Sequence, residues 1–125
     1  MSTGELPVIS DERMRERLGA TQNYTLVILT VTAEGAKPES RPVIWEHGRR
    51  NMALSEAGLL PVVCPVTDDS EVAGIGIFAA TPEETREIMA GDPGVRAGLF
   101  TFEIHPAAAS PAQRCRRRGA AVGRV

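Results

Sequence analysis

The sequence predicts an α+β domain built on a four-stranded antiparallel sheet with two helices on one face. Three observations lead to this fold class. Strand-like and helix-like stretches follow the order strand, helix, strand, strand, helix, strand. The second and third strands are close enough for a hairpin. Right-handed crossovers then place both helices on the same face, which is the ferredoxin-like βαββαβ arrangement.

Composition sets the class of protein. The chain has 125 residues, of which 42% are apolar and 4% aromatic, so one domain with a core of Val, Ile, Leu and Ala is expected. The first 18 residues carry no apolar signal region, and no apolar run reaches the ~18 residues that span a bilayer. Cys64 and Cys115 lack metal-ligand spacing, which favours a reduced, cytoplasmic protein.

Charge is unevenly distributed. The net charge is −2, but residues 111–125 hold five arginines and no acid, and removing them leaves nine basic residues against 16 acidic ones. An acidic body argues against nucleic-acid binding. The Arg-rich end permits two interpretations, a contact with nucleic acid or an acidic partner and a disordered terminus, and the second is preferred. We therefore divide the chain into an N-terminal arm (1–22), a domain (23–107) and a basic tail (108–125).

The elements of the first half are predicted from their end signals and periodicity. Ser10 begins a short charged helix over residues 11–18. Residues 24–31 (YTLVILTV) form a β-branched, apolar strand. Pro42 lies in the first turn of a long helix that ends at Gly58. Residues 59–66 (LLPVVCPV) form a buried strand, and Pro61 and Pro65 place it at a sheet edge.

The second half begins with an acidic turn, residues 67–72 (TDDSEV), before a strand over residues 73–80 (AGIGIFAA), in which Gly74 and Gly76 permit close approach of backbone or ligand. Thr81, Pro82 and Glu84 form a capping box for a helix that ends at Gly91. Asp92-Pro93-Gly94 forms a turn before the last strand, residues 99–105 (LFTFEIH). From Pro106 onward we expect disorder.

Three polar residues lie on the apolar side of the long helix: His47, Asn51 and Ser55. A histidine there is ordinarily a core residue satisfied by a hydrogen bond. Three polar groups in one stripe favour a small pocket between helix and sheet instead.

The topology brings carboxylates to the same edge as His47. They are Asp68 and Asp69, from the acidic turn, and Asp92, from the end of the second helix. An imidazole ordinarily titrates near pH 6.5, so His47 suits the role of general acid or base with one of these carboxylates orienting it. The alternatives are a solvated turn for Asp68 and Asp69 and a local turn-capping role for Asp92.

The other residues that could take part in catalysis or ligand binding are expected to have structural roles. Cys64 is expected to be a buried, inert thiol at the pocket, since no basic neighbour activates it. Trp45 and Met52 are expected to pack rather than stack on a ligand. His105 is expected at the surface. The sequence contains no phosphate loop, nucleotide fingerprint or metal triad, so neither a cofactor nor a metal is expected.

Apolar side chains lie on both faces of the predicted sheet, although helices cover only one face. A two-fold homodimer that buries the open faces against each other is therefore expected. A small-molecule ligand is the other partner that the pocket suggests.

The same residues resemble a known family. His47, Asn51, Leu54 and Gly58, the Cys64-Pro65 dipeptide, Asp92-Pro93 and Ile104-His105-Pro106 are similar to motifs of the YciI-like (YCII-related) family of the dimeric α/β barrel superfamily. The resemblance covers about residues 24–106. It implies a ferredoxin-like homodimer with a His-Asp pair in a small cavity, and dehydrochlorination of a chlorinated hydroxyquinol is among the activities of the family. Cys64 stands where the family has Gly, and the tail extends past the usual end of the domain.

Two functional hypotheses follow. The first is a cofactor-independent enzyme with lyase or isomerase chemistry on a small cyclic or aromatic metabolite, in which His47 moves the proton and an Asp holds the ring. Asn51, Ser55, Cys64 and Trp45 are its candidate ligand-binding residues. The second is a non-catalytic dimeric ligand-binding or accessory protein. A monooxygenase of the same superfamily is a third interpretation.

Overall fold

The computed structural model of the chain describes residues 4–110. The Arg-rich stretch 111–125, with Cys115 and the predicted disordered tail, lies outside the described residues. The chain divides into two compact units, with boundaries at residues 22/23 and 108/109. The elements, in chain order, are α1 (Asp11–Gly19), β1 (Gln22–Val31), α2 (Arg41–Glu56), β2 (Val62–Pro65), β3 (Val72–Phe78), α3 (Pro82–Ala90), α4 (Pro93–Arg96) and β4 (Phe100–Ala109).

The strands form one antiparallel sheet in the order β2-β3-β1-β4. This order, with the βαββαβ connectivity, is the ferredoxin-like topology that the sequence predicts. β2 is an edge strand, which confirms the interpretation of its prolines. Pro65, the proline within β2, has no N–H to donate and is tolerated because one side of an edge strand has no partner.

Helix ends follow the local signals in the sequence. Ser10 caps α1 by accepting a hydrogen bond from the backbone N–H of Arg13. Thr81 and Glu84 complete the capping box of α3, each side chain bonding the other residue's backbone N–H. Gly58 follows α2 with a φ of 81°, a left-handed conformation that glycine adopts without steric penalty. The Leu54 carbonyl then accepts hydrogen bonds from the N–H groups of both Leu59 and Leu60, which ends the helix.

The core lies between the sheet and the helices of the 23–108 unit. It consists of Val27, Leu29, Leu60, Phe78, Met89, Leu99 and Phe100, with Val43, Ile44 and Leu54 of α2 packed against it. Because side chains alternate along a strand, Leu26 and Ile28 lie on the opposite face of β1. Neither belongs to the core cluster.

The structure corrects three predictions about β2 and its surroundings. β2 is four residues long rather than eight, and Val63, Cys64 and Pro65 are exposed rather than buried. Leu60 is buried, with 1% of its surface exposed, but it packs from the loop after α2 and not from the strand. Cys64 is an exposed thiol. The apolar run indicated burial, whereas the edge position leaves β2 with only one neighbouring strand.

Three further predictions are corrected. Asp92-Pro93-Gly94 begins the one-turn helix α4 rather than a simple turn. β4 continues to Ala109, so disorder from Pro106 is wrong for residues 106–109; an edge strand accommodates a proline. Trp45 and Met52 are 69% and 71% exposed and do not pack in the core of the chain. They are seven residues apart, so they share the outer side of α2.

Between residues 4 and 110, no helix has both the length and the apolar character needed to cross a membrane.

Candidate functional site

A cavity of about 500 Å³ lies between α2 and the helix-facing side of the sheet. The strand register shows which residues form the floor of this cavity. Gly76 of β3 pairs with Val27 of β1 on one side and Val63 of β2 on the other, and Gly74 lies between Leu29 and Pro65 in the next row. Neither glycine presents a side chain to the helices. At these two positions the floor is therefore backbone, and the side chains of Leu60 and Phe78 lie close to Gly76, 3.2 and 3.3 Å from where its Cβ would be.

His47 lies on α2 at the wall of this cavity, with 13% of its side chain exposed. Its Nδ1 atom is 2.8 Å from Oδ1 of Asp92, which is 1% exposed. Its Nε2 atom is 3.3 Å from Nδ2 of Asn51, one helical turn further on. The ring also contacts the Phe100 ring, with centroids 4.7 Å apart and planes at 45°. Contacts at both nitrogens and at the ring face hold the imidazole in one orientation.

Asp92 has two roles at once. Oδ2 caps α4 by accepting hydrogen bonds from the backbone N–H groups of Gly94 (2.9 Å) and Val95 (3.1 Å). Oδ1 remains for His47. Both interpretations of the sequence, a local capping residue and a partner for histidine, are therefore realised by separate oxygens of one carboxylate.

Burial has the largest effect on the ionisation of Asp92 and opposes it. The hydrogen bond and charge of His47, together with the Val95 and Gly94 N–H groups, outweigh burial, so the pKa of Asp92 lies below its ordinary value. An ionised Asp92 accepts the proton of Nδ1–H. In a neutral imidazole the other nitrogen, Nε2, then carries the lone pair. This assignment makes Nε2 the basic atom of the ring, with Nδ2 of the cavity-lining Asn51 as its donor.

The acidic turn contributes Asp68 to the cavity lining. Its Oδ1 atom accepts hydrogen bonds from the hydroxyl (2.6 Å) and backbone N–H (3.0 Å) of Ser70. These bonds hold the pKa of Asp68 below its ordinary value. Because the imidazole takes Asp92 as its carboxylate partner, Asp68 is a charged turn residue at the cavity whose hydrogen bonds are made within its own turn.

The remaining predicted site residues separate into two groups. Asn51 and Cys64 line the cavity. Asp69, Ser55 and Trp45 are exposed and do not line it. His105 is at the surface as predicted, with Nε2 3.3 Å from a Glu103 carboxylate oxygen.

Two residues that were not among the predicted site residues shape the site. Phe100 packs against the His47 ring from β4. Gly94 permits this packing, since a Cβ there would lie 2.6 Å from Cδ2 of Phe100 and 3.1 Å from Oδ2 of Asp92. The only sequence signal for Gly94 was its place beside Asp92-Pro93, which predicts a turn but not a contact with β4.

Among residues 4–110, no cluster of three or more His, Cys, Asp or Glu side chains is arranged to hold a metal ion.

Fold and site together define a ferredoxin-like α+β protein with a histidine-carboxylate pair at a cavity. No protein-family model matches the chain, and no curated protein matches it. Among the solved structures that match is 5-chloro-2-hydroxyhydroquinone dehydrochlorinase from Burkholderia phenoliruptrix AC1100 in complex with 2,5-dihydroxybenzoquinone. The match has 22% sequence identity and a TM-score of 0.46, and it covers 66% of this chain and 90% of that one. Membership of the YciI-like family stays a prediction.

Proposed function

We propose that the protein is a cofactor-independent enzyme that carries out lyase- or isomerase-type proton transfer on a small cyclic or aromatic metabolite. The observation that carries the proposal is the His47–Asp92 pair at the cavity, with Nδ1 held by a buried carboxylate and Nε2 in contact with Asn51, another cavity-lining residue. Positioned acid–base groups of this kind typically contribute 10²–10⁴-fold to a rate.

In the proposed reaction, Nε2 of His47 takes a proton from a substrate carbon or hydroxyl in the cavity. The ring becomes an imidazolium, and the adjacent Asp92 carboxylate stabilises its positive charge. Return of that proton to another substrate atom completes an isomerisation, and its delivery to a departing group completes an elimination. Asn51 bonds the same nitrogen at 3.3 Å, a long hydrogen bond that a substrate group can replace.

The lining also indicates the charge of the substrate. Within the described part of the chain, the cavity is lined mainly by aliphatic side chains and by no Lys or Arg. The ionised Asp68 carboxylate adds a negative charge there. Such a cavity offers a phosphate or carboxylate no counter-charge, so a neutral ring with one or two hydroxyl or carbonyl groups fits it best.

Solvent deuterium exchange tests this function even though the natural substrate is unidentified. Small cyclic ketones and hydroxylated aromatics are incubated in D₂O with the protein, and loss of C–H signals is followed by proton NMR. We expect exchange in at least one compound with the wild-type protein and none above background with His47→Gln. Ser55→Ala, on the same helix but away from the cavity, is the control. Equal exchange by His47→Gln would refute the proposed role.

The second candidate is a non-catalytic ligand-binding or accessory protein. It is favoured by the satisfaction of both imidazole nitrogens within the chain, which is how a structural histidine is held. It predicts that compounds bind without exchange and that His47→Gln lowers the free energy of unfolding.

We further propose that the protein acts as a homodimer through the sheet face opposite α2 and α3. Its support is the apolar set Leu26, Ile28, Ile75 and Ile77 on that face, none of which belongs to the core cluster. Ile75, 37% exposed, is the residue to test. Light scattering should give a dimer for the wild-type protein and for the control Met52→Lys, and a monomer for Ile75→Lys. A wild-type monomer would contradict this assembly.

A further inference from the structure

Gly48 lies in the middle of α2, directly after His47, and the fold gives no reason for a glycine there. A Cβ atom built on Gly48 meets no atom within 4 Å. Glycine inside a helix is destabilising relative to alanine, because it has more backbone entropy to lose on folding. The helix therefore carries an unfavourable residue without a steric cause.

Several other glycines of the described chain have a conformational or steric cause. Gly58 and Gly98 have positive φ angles of 81° and 78°. A Cβ on Gly94 would collide with Phe100, and one on Gly35 would lie 2.3 Å from the Leu99 carbonyl oxygen. Gly48 has neither cause. Its φ lies outside the left-handed region, and the space at its Cβ position is open, as it also is at Gly19, the last residue of α1.

That empty space belongs to the cavity. Ile44, Gly48 and Asn51 are all cavity-lining residues, and their spacing of four and three residues puts them in one stripe along α2. Gly48 is thus the gap in a row of side chains that faces the sheet. His47, the preceding residue, lines the same cavity, and its Nε2 contacts Asn51 of this stripe.

We propose that Gly48 is a specificity-determining residue, whose missing side chain leaves the room through which a small molecule reaches Nε2 of His47. A larger residue would occupy that room and restrict the size of compounds that reach the imidazole. The proposal deepens the proposed function, since the nitrogen it exposes is the one assigned the proton transfer. It concerns access alone, however, and holds for any small reagent.

Diethyl pyrocarbonate measures this access without a known substrate. The lone pair of an imidazole nitrogen attacks a carbonyl carbon of the reagent, so that an N–C bond forms and the C–O bond to the ethyl carbonate group breaks. The ring loses the proton of its other nitrogen, and the ethyl carbonate anion takes up a proton and decomposes to ethanol and CO₂. His105, exposed at the surface, is the internal reference. The rate at His47 relative to His105 is obtained by mass spectrometry of proteolytic peptides.

Gly48→Leu is compared with Ala53→Leu, a matched substitution at an exposed position of α2 that does not line the cavity. We expect Gly48→Leu to slow modification of His47 at least tenfold relative to His105, and Ala53→Leu to leave the ratio unchanged. We also expect Gly48→Ala to raise the melting temperature, as a helix substitution without steric conflict should.

An unchanged ratio in folded Gly48→Leu would overturn the proposal, as would a lower melting temperature for Gly48→Ala. If Gly48→Leu does not fold, as judged by circular dichroism, Gly48→Val takes its place with the same two outcomes. The result is separable from the proposed function. Absence of deuterium exchange would refute the proposed enzymatic function without affecting the result on access to His47. An unchanged modification ratio would refute the role of Gly48 in limiting compound size without affecting the exchange result.

Discussion

Replacing Asp92 by Asn should reverse the protonation of the His47 ring while keeping the fold. The wild-type carboxylate has two acceptor oxygens, Oδ2 for the Gly94 and Val95 N–H groups and Oδ1 for His47. Asparagine has one oxygen and one NH₂ group. If its oxygen keeps capping α4, its NH₂ group faces Nδ1 and can only donate. Nδ1 must then carry the lone pair and Nε2 the proton, so the cavity side of the ring changes from an acceptor to a donor.

The size of the stability change follows from the same contacts. Asn caps helices about as well as Asp, so the capping contribution of about 1 kcal/mol is retained. The charge-assisted bond to His47, 2.8 Å long and buried, is replaced by a neutral one. Bonds to charged groups contribute about 1.5–3 kcal/mol and neutral ones about 1 kcal/mol. We therefore expect Asp92→Asn to lower the free energy of unfolding by the difference, about 0.5–2 kcal/mol. Asp92→Ala loses cap and partner together and should lower it by about 3 kcal/mol.

Two measurements check this prediction. Urea unfolding at pH 7 gives the stability of the three proteins, and the ¹⁵N chemical shifts of the His47 ring distinguish a protonated nitrogen from a bare one. Asn51→Ala, which removes the donor to Nε2 and leaves Asp92 in place, should keep the Nδ1–H tautomer. An Asp92→Asn protein that keeps the Nδ1–H tautomer would refute the reasoning. Equal stabilities for Asp92→Asn and Asp92→Ala would refute the capping argument.

Three further predictions rest on other contacts. Because the pKa of Asp92 is lowered in the folded protein, its carboxylate stabilises the fold above about pH 4, and this contribution is lost as the pH falls through the folded-state pKa. Urea unfolding should therefore show that the difference in stability between the wild-type protein and Asp92→Asn narrows below about pH 4. A difference that stays constant with pH would contradict this prediction. Gly94→Ala should cost about 1–3 kcal/mol by overpacking against Phe100, whereas Gly48→Ala should gain stability in the same assay. Cys64 is exposed, so N-ethylmaleimide should label it in the native protein, as peptide mass spectrometry would detect; labelling only after denaturation would show a buried thiol.

Local signals made much of the fold predictable. A capping box is a short-range exchange of two hydrogen bonds, so Thr81 and Glu84 identify the start of α3 independently of the rest of the chain. The order of elements then restricts the topology to few arrangements, because crossovers are right-handed. The strand order followed from these two facts.

Burial was predicted less well, because it depends on which neighbours an element receives. Cys64 lies in an apolar run, and hydrophobicity alone places it inside. Its exposure follows from the edge position of β2, where one side of the strand has no neighbour. The prediction that Trp45 packs in the core was also wrong, since the residue type does not say how wide a sector of α2 the sheet covers.

The candidate site was predictable as a set of residues but not as a pairing. The predicted topology places three carboxylates at the same sheet edge as His47, and the sequence does not indicate which of them pairs with the imidazole. The choice of Asp92 depends on α4, a four-residue helix that the sequence presents as a turn. Its cap directs one carboxylate oxygen toward the backbone and leaves the other for the imidazole, an arrangement visible only in three dimensions.

The site has a back and a floor that depend on different elements. At the back, α4 fixes Asp92 through Oδ2, and Asp92 fixes His47 through Oδ1, so the orientation of the imidazole derives from a helix cap. The floor is the helix-facing side of β3 at Gly74 and Gly76. The atoms nearest to a Cβ built there belong to Cys64, Pro65, Leu60 and Phe78, none of which takes part in that cap. Effects of substitutions that share no partner are usually additive. The floor, and Gly48 above it, can therefore vary with the compound that the cavity accepts while the histidine-carboxylate pair remains unchanged.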